Sequence, residues 1–403
     1  MSESTIQYKF PLIFGAASFG KEGTTFSHFH TLEEAQVVAD LFASRGGSAF
    51  DTSDGYANGT SQEYLAKTDL KGLPVDTKIA PTFPGAHAPE ALRKAVQAAA
   101  NALAPHKIRI LYLHFPDRSV PYENTLREIY ALHKEGYFEQ FGLSNFYSWE
   151  VAEIYTISKL KAWVLPTVYQ GRYNVMERNT EDELFPCLRR FGIAFYAYSP
   201  LAGGLLTGKW NKPEDLDNIN LVAGTRFDTT TSNNPIYQLF HDKYKQVVPS
   251  FAALTQALDA AKIPPAEAAL RWIQHHSALK PGDAVIIGAS KIVQVENSMK
   301  CSALGPLPEN IIQLLDQASQ SFKQYVTHYG GEGREAEAAW LSPKAERNED
   351  RPYSNSRAQV FALLPLHTLR CLTMSEADHI TVCAVKGDEE HAWGNRTGPW
   401  ASP

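Results

Sequence analysis

The chain has little cysteine, no long apolar run, no stripe of basic residues and no glycine-rich dinucleotide fingerprint, and each gap closes off a class of protein. Its 403 residues hold four cysteines, Cys187, Cys301, Cys371 and Cys383, widely spaced and without a Cys-x-x-Cys pair. That usage fits reduced thiols rather than a disulfide framework. No apolar run reaches the roughly 18 residues that span a bilayer, and the opening Met-Ser-Glu-Ser-Thr-Ile-Gln-Tyr-Lys lacks an apolar signal core. A cytoplasmic location without a membrane partner is therefore expected, and Asn58-Gly-Thr60 and Asn395-Arg-Thr397 are read as chance glycosylation sequons. Net charge is −6 with lysine and arginine scattered along the chain, so nucleic acid is not an expected partner. No strand-like run leads into Gly-x-Gly-x-x-Gly, which counts against a doubly wound nucleotide-binding sheet.

Phosphate loops and metal centres are also poorly supported. Gly15-Ala-Ala-Ser-Phe-Gly20-Lys21 and Gly203-Gly-Leu-Leu-Thr-Gly208-Lys209 both satisfy Gly-x-x-x-x-Gly-Lys, but Glu22 and Trp210 stand where a magnesium-binding hydroxyl belongs. A glycine turn of this kind can still cradle a pyrophosphate through its backbone N–H groups. The pairs His28/His30 and His275/His276 have no third ligand at a zinc-like spacing and are expected to be surface residues, with no metal site.

What is present is regular alternation. Short apolar or β-branched runs near 12–18, 48–51, 75–80, 108–114, 139–144, 164–170, 193–199 and 284–288 predict eight strands. Helical periodicity falls between them, near 32–46, 61–70, 89–104, 123–136, 147–160, 181–191 and 265–277, with a further segment at 308–324; Thr31 and Asn145 look like N-caps. Eight βα units predict a (β/α)8 barrel over residues 1–329. Residues 210–250 interrupt the pattern with Asn, Asp, Thr and Pro, as functional loops do. Residues 330–403 read as a separate C-terminal extension, linker-like and then weakly structured, to which no function is assigned.

Four reactive side chains stand at or just beyond the C-terminal ends of these strands: Asp51, Tyr56, Lys78 and His114. In a parallel barrel such positions converge on one mouth. A carbonyl reduction needs a proton donor, and a free phenol with a pKa near 10 is a sluggish acid at neutral pH. An ammonium about 3 Å away stabilises phenolate by roughly 5 kcal/mol at an effective dielectric near 20, against roughly 4 kcal/mol for a three-unit shift. Lys78 can supply that cation, Asp51 can keep it charged and aimed, and His114 can bond the substrate oxygen or share the proton with Tyr56. If hydride arrives from a nicotinamide, no protein nucleophile is required.

These residues also carry a resemblance over roughly 10–325. Phe50-Asp-Thr-Ser-Asp-Gly-Tyr56, Leu113-His-Phe-Pro-Asp117, Gly142-Leu-Ser-Asn-Phe146, Pro166-Thr-Val-Tyr-Gln-Gly-Arg-Tyr-Asn174 and the run from Glu183 through Phe195-Tyr-Ala-Tyr-Ser-Pro-Leu-Ala-Gly-Gly-Leu-Leu-Thr-Gly-Lys209 resemble the aldo-keto reductases, in particular the aflatoxin-aldehyde reductase branch. The resemblance implies that Asp51, Tyr56, Lys78 and His114 form the catalytic tetrad of an NADPH-dependent reductase of small carbonyl substrates. It implies that Ser144, Asn145 and Gln170 bind the carboxamide and that Tyr198 stacks on the nicotinamide. Ser199, Pro200, Leu201, Ala202, Gly203, Gly204 and Lys209 would wrap the pyrophosphate, with Arg226 closing over it. Gly288, Ser290, Lys291 and Gln294 would face the adenosine and its 2′-phosphate, and Asn297 and Ser298 fall where the family places a Glu/Gln–Asn pair. The branch contains dimers, which makes a homodimer the expectation by analogy. The resemblance extends to potassium-channel β-subunits, which keep the nicotinamide site and serve a protein partner, so a regulatory subunit is the alternative reading.

Overall fold

The computed structural model describes residues 7–323 apart from 211, 224, 226, 230–240 and 243. Contacts divide the chain at Glu346/Arg347; the unit after that point, like the extension expected from residue 330, lies outside the described residues.

Eight parallel strands close into a barrel in sequence order, each bonded to the next and the eighth to the first. The strands are β1 Leu12–Gly15, β2 Ala49–Asp51, β3 Val75–Ile79, β4 Ile108–Leu113, β5 Phe138–Ser144, β6 Pro166–Arg172, β7 Ala194–Tyr198 and β8 Ala284–Ile287. Helices α1 Leu32–Ser44, α2 Thr60–Ala66, α3 Pro89–Leu103, α4 Tyr122–Lys134, α5 Ser148–Leu160 and α6 Leu184–Phe191 follow the first six strands. The predicted (β/α)8 barrel is therefore the fold, and its strands fall within a few residues of the expected positions.

Side-chain alternation separates two packed layers. Ile13, Ala49, Ala284 and Ile286 cluster with Tyr196 and Tyr198, whereas their neighbours Phe14, Phe50, Val285 and Ile287 join the larger core shared with the helices. This is the period of two expected when a strand shows one face to the barrel interior and the other to the helical ring. Close packing inside sets one glycine: a Cβ on Gly142 of β5 would stand 2.3 Å from the Tyr112 ring of β4.

Local signals explain several boundaries. Thr31 caps α1, its hydroxyl accepting from the Glu34 N–H at 3.2 Å while the Glu34 carboxylate accepts from the Thr31 N–H at 3.1 Å, the reciprocal capping box. Asn145 is not the cap of α5. It takes φ +64° and turns its amide toward the barrel, and Glu150 instead accepts from the Tyr147 N–H at 2.8 Å.

After β7 the chain departs from simple alternation. The 210–250 stretch contains a short helix, α7 Ile219–Val222, and is followed by α8 Ala252–Ala261, a helix absent from the sequence expectation, and by α9 Pro265–His275. Beyond β8 the described residues form two helices, α10 Ile292–Ser302 and α11 Glu309–Phe322. The first was also missed, because its apolar positions are interrupted by Gln294, Glu296, Asn297 and Ser298. The paired histidines are half-buried rather than on the surface. His275 Nε2 lies 2.7 Å from the Leu304 carbonyl oxygen, and His276 Nε2 accepts from the Leu307 N–H at 2.9 Å, fastening the turn after α10.

Candidate active site

All four residues of the expected tetrad reach the same end of the barrel. Asp51 closes β2 and Lys78 lies on β3, both facing inward; both are buried, with Lys78 fully enclosed. The Lys78 ammonium donates to Asp51 Oδ2 at 2.6 Å and to the Thr52 carbonyl oxygen at 2.8 Å. It also sits 4.8 Å from the centroid of the half-buried Tyr56 ring. Burial acts against the charge on Lys78, yet the Asp51 carboxylate and the Tyr56 hydroxyl outweigh it and raise the ammonium above its ordinary pKa. Lys78 is thus a fixed cation.

The Asp51 carboxylate is held on its other oxygen by Gln170 of β6, whose amide donates to Oδ1 at 2.8 Å. That bond was not expected from the sequence. Two inward-facing residues on strands separated by 119 positions meet only because the barrel closes.

His114, immediately after β4, packs edge-on to Tyr56 at 5.7 Å and stacks on Phe115 at 4.6 Å. Burial, then the Lys78 ammonium and His87, hold its imidazole well below the ordinary range, so the ring is neutral at physiological pH. Its Nδ1 lies 3.1 Å from the Ser53 hydroxyl. Ser53 lies inside the quoted motif, but nothing in the sequence marked it as a neighbour of His114.

The residues assigned to the nicotinamide lie on adjoining strand ends. Asn145 donates to the His114 carbonyl oxygen at 2.9 Å and to the Ser144 hydroxyl at 3.0 Å, and accepts from the Tyr198 hydroxyl at 2.9 Å. One side chain therefore ties together the ends of β4, β5 and β7. The Arg172 guanidinium stands 5.7 Å from the Tyr198 ring, a neighbour that the sequence reading did not identify.

The expected pyrophosphate loop is glycine-rich and left-handed. Ser199, Ala202, Gly203, Gly204 and Gly208 all have positive φ, and Leu201 accepts from the Gly204 N–H at 2.9 Å. Pro200 is buried, Lys209 is exposed, and a Cβ on Gly204 would meet only open space. Arg226 lies outside the described residues. Beyond β8, Gly288 likewise faces open space and Lys291 is exposed. Ser290 and Gln294 bond each other, the Gln294 oxygen accepting from the Ser290 N–H at 2.8 Å and its hydroxyl at 3.1 Å. Asn297 and Ser298 do not share a face of α10: Asn297 is exposed and Ser298 is buried.

The arrangement offers a buried carboxylate–ammonium pair against a phenol, a neutral imidazole beside it, and a bare glycine turn with an exposed lysine nearby. That donor set suits proton delivery next to a bound nucleotide. No helix among the described residues is long and apolar enough to cross a membrane.

Comparison with known proteins agrees with this chemistry. The aldo/keto reductase family profile matches residues 11–320. Human Aldo-keto reductase family 7 member A3 is 40% identical over 291 residues, covering 70% of this chain and 87% of that protein. Aflatoxin B1 aldehyde reductase member 4 of Homo sapiens is 39% identical over 304 residues, 73% of this chain and 91% of its own length. Aldo-keto reductase pigE of Monascus ruber is 33% identical over 340 residues, 80% and 97% of the two chains. With the barrel, the clustered tetrad and these matches together, the chain belongs to the aldo-keto reductase family, in the branch of the aflatoxin aldehyde reductases, and is an oxidoreductase.

Proposed function

We propose that the protein reduces aldehydes to alcohols with NADPH, Tyr56 acting as the general acid, and that ketones and dialdehydes fall within the same chemistry. The observation that carries this reading is the buried Asp51–Lys78 pair, 2.6 Å long, set against the Tyr56 ring. When bound, the nicotinamide supplies hydride. Tyr56 gives its proton to the carbonyl oxygen, and Lys78 stabilises the phenolate that remains. Asp51 keeps Lys78 charged, and Gln170 keeps Asp51 from turning away.

Ser144, Asn145, Gln170 and Tyr198 are assigned to the nicotinamide, and the backbone from Ser199 to Gly204, with Lys209 and Arg226, to the pyrophosphate. Gly288, Ser290, Lys291, Gln294, Asn297 and Ser298 are assigned to the adenosine end. The open space at Gly204 and Gly288 and the exposed ammonium groups of Lys209 and Lys291 support an anionic ligand along this rim. Lys291 beside the Ser290 hydroxyl favours a 2′-phosphate, hence NADPH over NADH. The aflatoxin aldehyde named in several relatives directs attention to aldehydes as the first substrates to test.

The test is consumption of NADPH with a panel of aliphatic, aromatic and dicarbonyl substrates. Turnover of one or more aldehydes is expected. Tight NADPH binding without turnover across the panel would instead favour a regulatory nicotinamide-binding subunit.

A further inference from the structure

Arg172 is the last residue of β6, and its place in the barrel fixes where its charge acts. Gln170, two residues earlier, reaches inward to Asp51, so the period of two turns Arg172 to the same inner face, one step nearer the mouth. Its register partner across the β6–β7 ladder is Tyr198, whose ring packs on the inner cluster of Ile13, Ala49, Ala284 and Ile286. The guanidinium lies 5.7 Å from the centre of that ring, and the Arg172 side chain is only 15% exposed.

Glu177 helps to hold the cation there. Arg172 Nη1 lies 3.4 Å from Glu177 Oε1, while Glu177 Oε2 accepts from the Asn174 amide at 2.8 Å and from the Tyr244 hydroxyl at 2.9 Å. Asn174 also donates to the Ser199 carbonyl oxygen at 3.1 Å, so the pair is built into the start of the glycine-rich loop. A neighbouring carboxylate weakens the field of the guanidinium. It does not change the sign of what the guanidinium itself contributes.

The two redox states of a nicotinamide differ by one charge at the ring. The oxidised pyridinium is a cation, and the reduced dihydropyridine is neutral. A bare tyrosine face attracts cations and so favours the oxidised form. A guanidinium beside the same tyrosine repels a second cation, in a largely buried setting where charges are little screened. The repulsion acts from either face of the ring, because it depends on separation alone. The neutral form feels no such penalty.

We propose that Arg172 is a specificity-determining residue for the redox state of the cofactor: its guanidinium lowers the affinity of the site for oxidised nicotinamide relative to reduced. That bias favours loading of NADPH and release of NADP+ after turnover. The inference rests on the assignment of Tyr198 to the nicotinamide, and goes beyond it by naming the group that tells the two forms apart.

The experiment measures Kd for NADPH and for NADP+ by quenching of tryptophan fluorescence on the full chain, without carbonyl substrate. At an effective dielectric of about 20, a unit charge several ångströms away and partly offset by a carboxylate is worth about threefold to tenfold in a binding constant. Arg172→Met is therefore expected to bind NADP+ about threefold to tenfold more tightly relative to NADPH than the wild type does. Arg172→Lys, which keeps the charge, should retain the wild-type ratio, and Glu177→Gln, which removes an offsetting charge, should move it the opposite way. Arg172→Gln repeats the neutral substitution should the methionine variant fail to fold. An unchanged ratio in the neutral variants overturns the proposal. So does equal weakening of both nucleotides, which would make Arg172 a phosphate ligand, or an unchanged ratio with turnover lost only for carboxylate-bearing aldehydes, which would make it a substrate contact. A wild type that binds neither nucleotide refutes the nicotinamide reading and this inference with it, whereas binding of both with an unmoved ratio refutes this inference alone.

Discussion

Two carboxylate–cation pairs lie close together inside the barrel, and only one of them adjoins an accessible phenol. Asp51–Lys78 is at the C-terminal ends of β2 and β3, beside the half-buried Tyr56. Two residues earlier on β3, Asp76 is clasped by Arg109, whose Nε and Nη2 donate to its two oxygens at 2.8 and 2.5 Å. A phenol accompanies this inner pair too. Tyr112 is completely buried, its hydroxyl has no partner among the described residues, and burial, reinforced by Asp76 and Asp51, pushes its pKa far up.

The same three ingredients thus meet in two different settings. Burial of a phenol makes it a worse acid, because the phenolate loses its hydration. An ammonium held against the ring and a path to solvent make it a better one. Arg109 spends its fork on Asp76, whereas Lys78, a point charge with three protons, serves Asp51, the Thr52 carbonyl and Tyr56 together.

The largest expected effect separates the two phenols. Tyr56→Phe should bind NADPH as before and lose turnover by about 10²–10⁴-fold, the usual worth of general acid catalysis; steady-state kinetics beside a fluorescence titration of NADPH would reveal it, and full retained activity would erase the distinction drawn here.

For the inner pair the loss should appear in stability. Asp76→Ala leaves a half-buried guanidinium without its carboxylate and should cost about 1–3 kcal/mol in urea denaturation. An Asp76→Ala protein as stable as the wild type but catalytically dead would move Asp76 into the working machinery.

A third measurement concerns His87, buried and neutral in the loop before α3. In the unfolded chain this imidazole takes up its proton near 6.5, but in the fold, burial holds it down to about 4 against the opposing pull of Asp117. The unfolded chain binds more protons across that interval, so stability should decline as pH falls from 6.5 toward 4. Chemical denaturation at a series of pH values, compared with His87→Leu, would show a shallower decline in the variant; parallel curves would remove His87 as its source.

The smallest effect is expected for Tyr112→Phe. Deleting an unpartnered hydroxyl should leave kcat unchanged and raise stability by up to about 1 kcal/mol. A fall in turnover approaching that of Tyr56→Phe would mean that the inner phenol participates after all.

Much of the fold could be read in advance because each strand carries its own signal. Val75-Asp-Thr-Lys-Ile79 and Ile108-Arg-Ile-Leu-Tyr-Leu113 are short, begin and end on β-branched or apolar residues, and are bounded by breaks. The helices Ala252–Ala261 and Ile292–Ser302 escaped notice for different reasons. The first follows a long polar stretch, and the second hides its inward face among polar residues such as the buried Ser298. Around the site, Asp51, Tyr56, Lys78 and His114 were legible as reactive groups after strands, but Gln170 was legible only as a possible ligand contact. Its grip on Asp51 depends on a closure across the barrel that no local pattern encodes.

The sequence by itself determined the alternation of strands and helices, the absence of a classical phosphate loop, and the identity of the titratable groups that stand at the strand ends. Tertiary structure alone decided which of two buried aspartates pairs with lysine, which of two phenols keeps an open path, and which neighbours surround His114 Nδ1. Periodicity is a property of adjacent residues, whereas a pKa is fixed by groups brought within a few ångströms from distant strands.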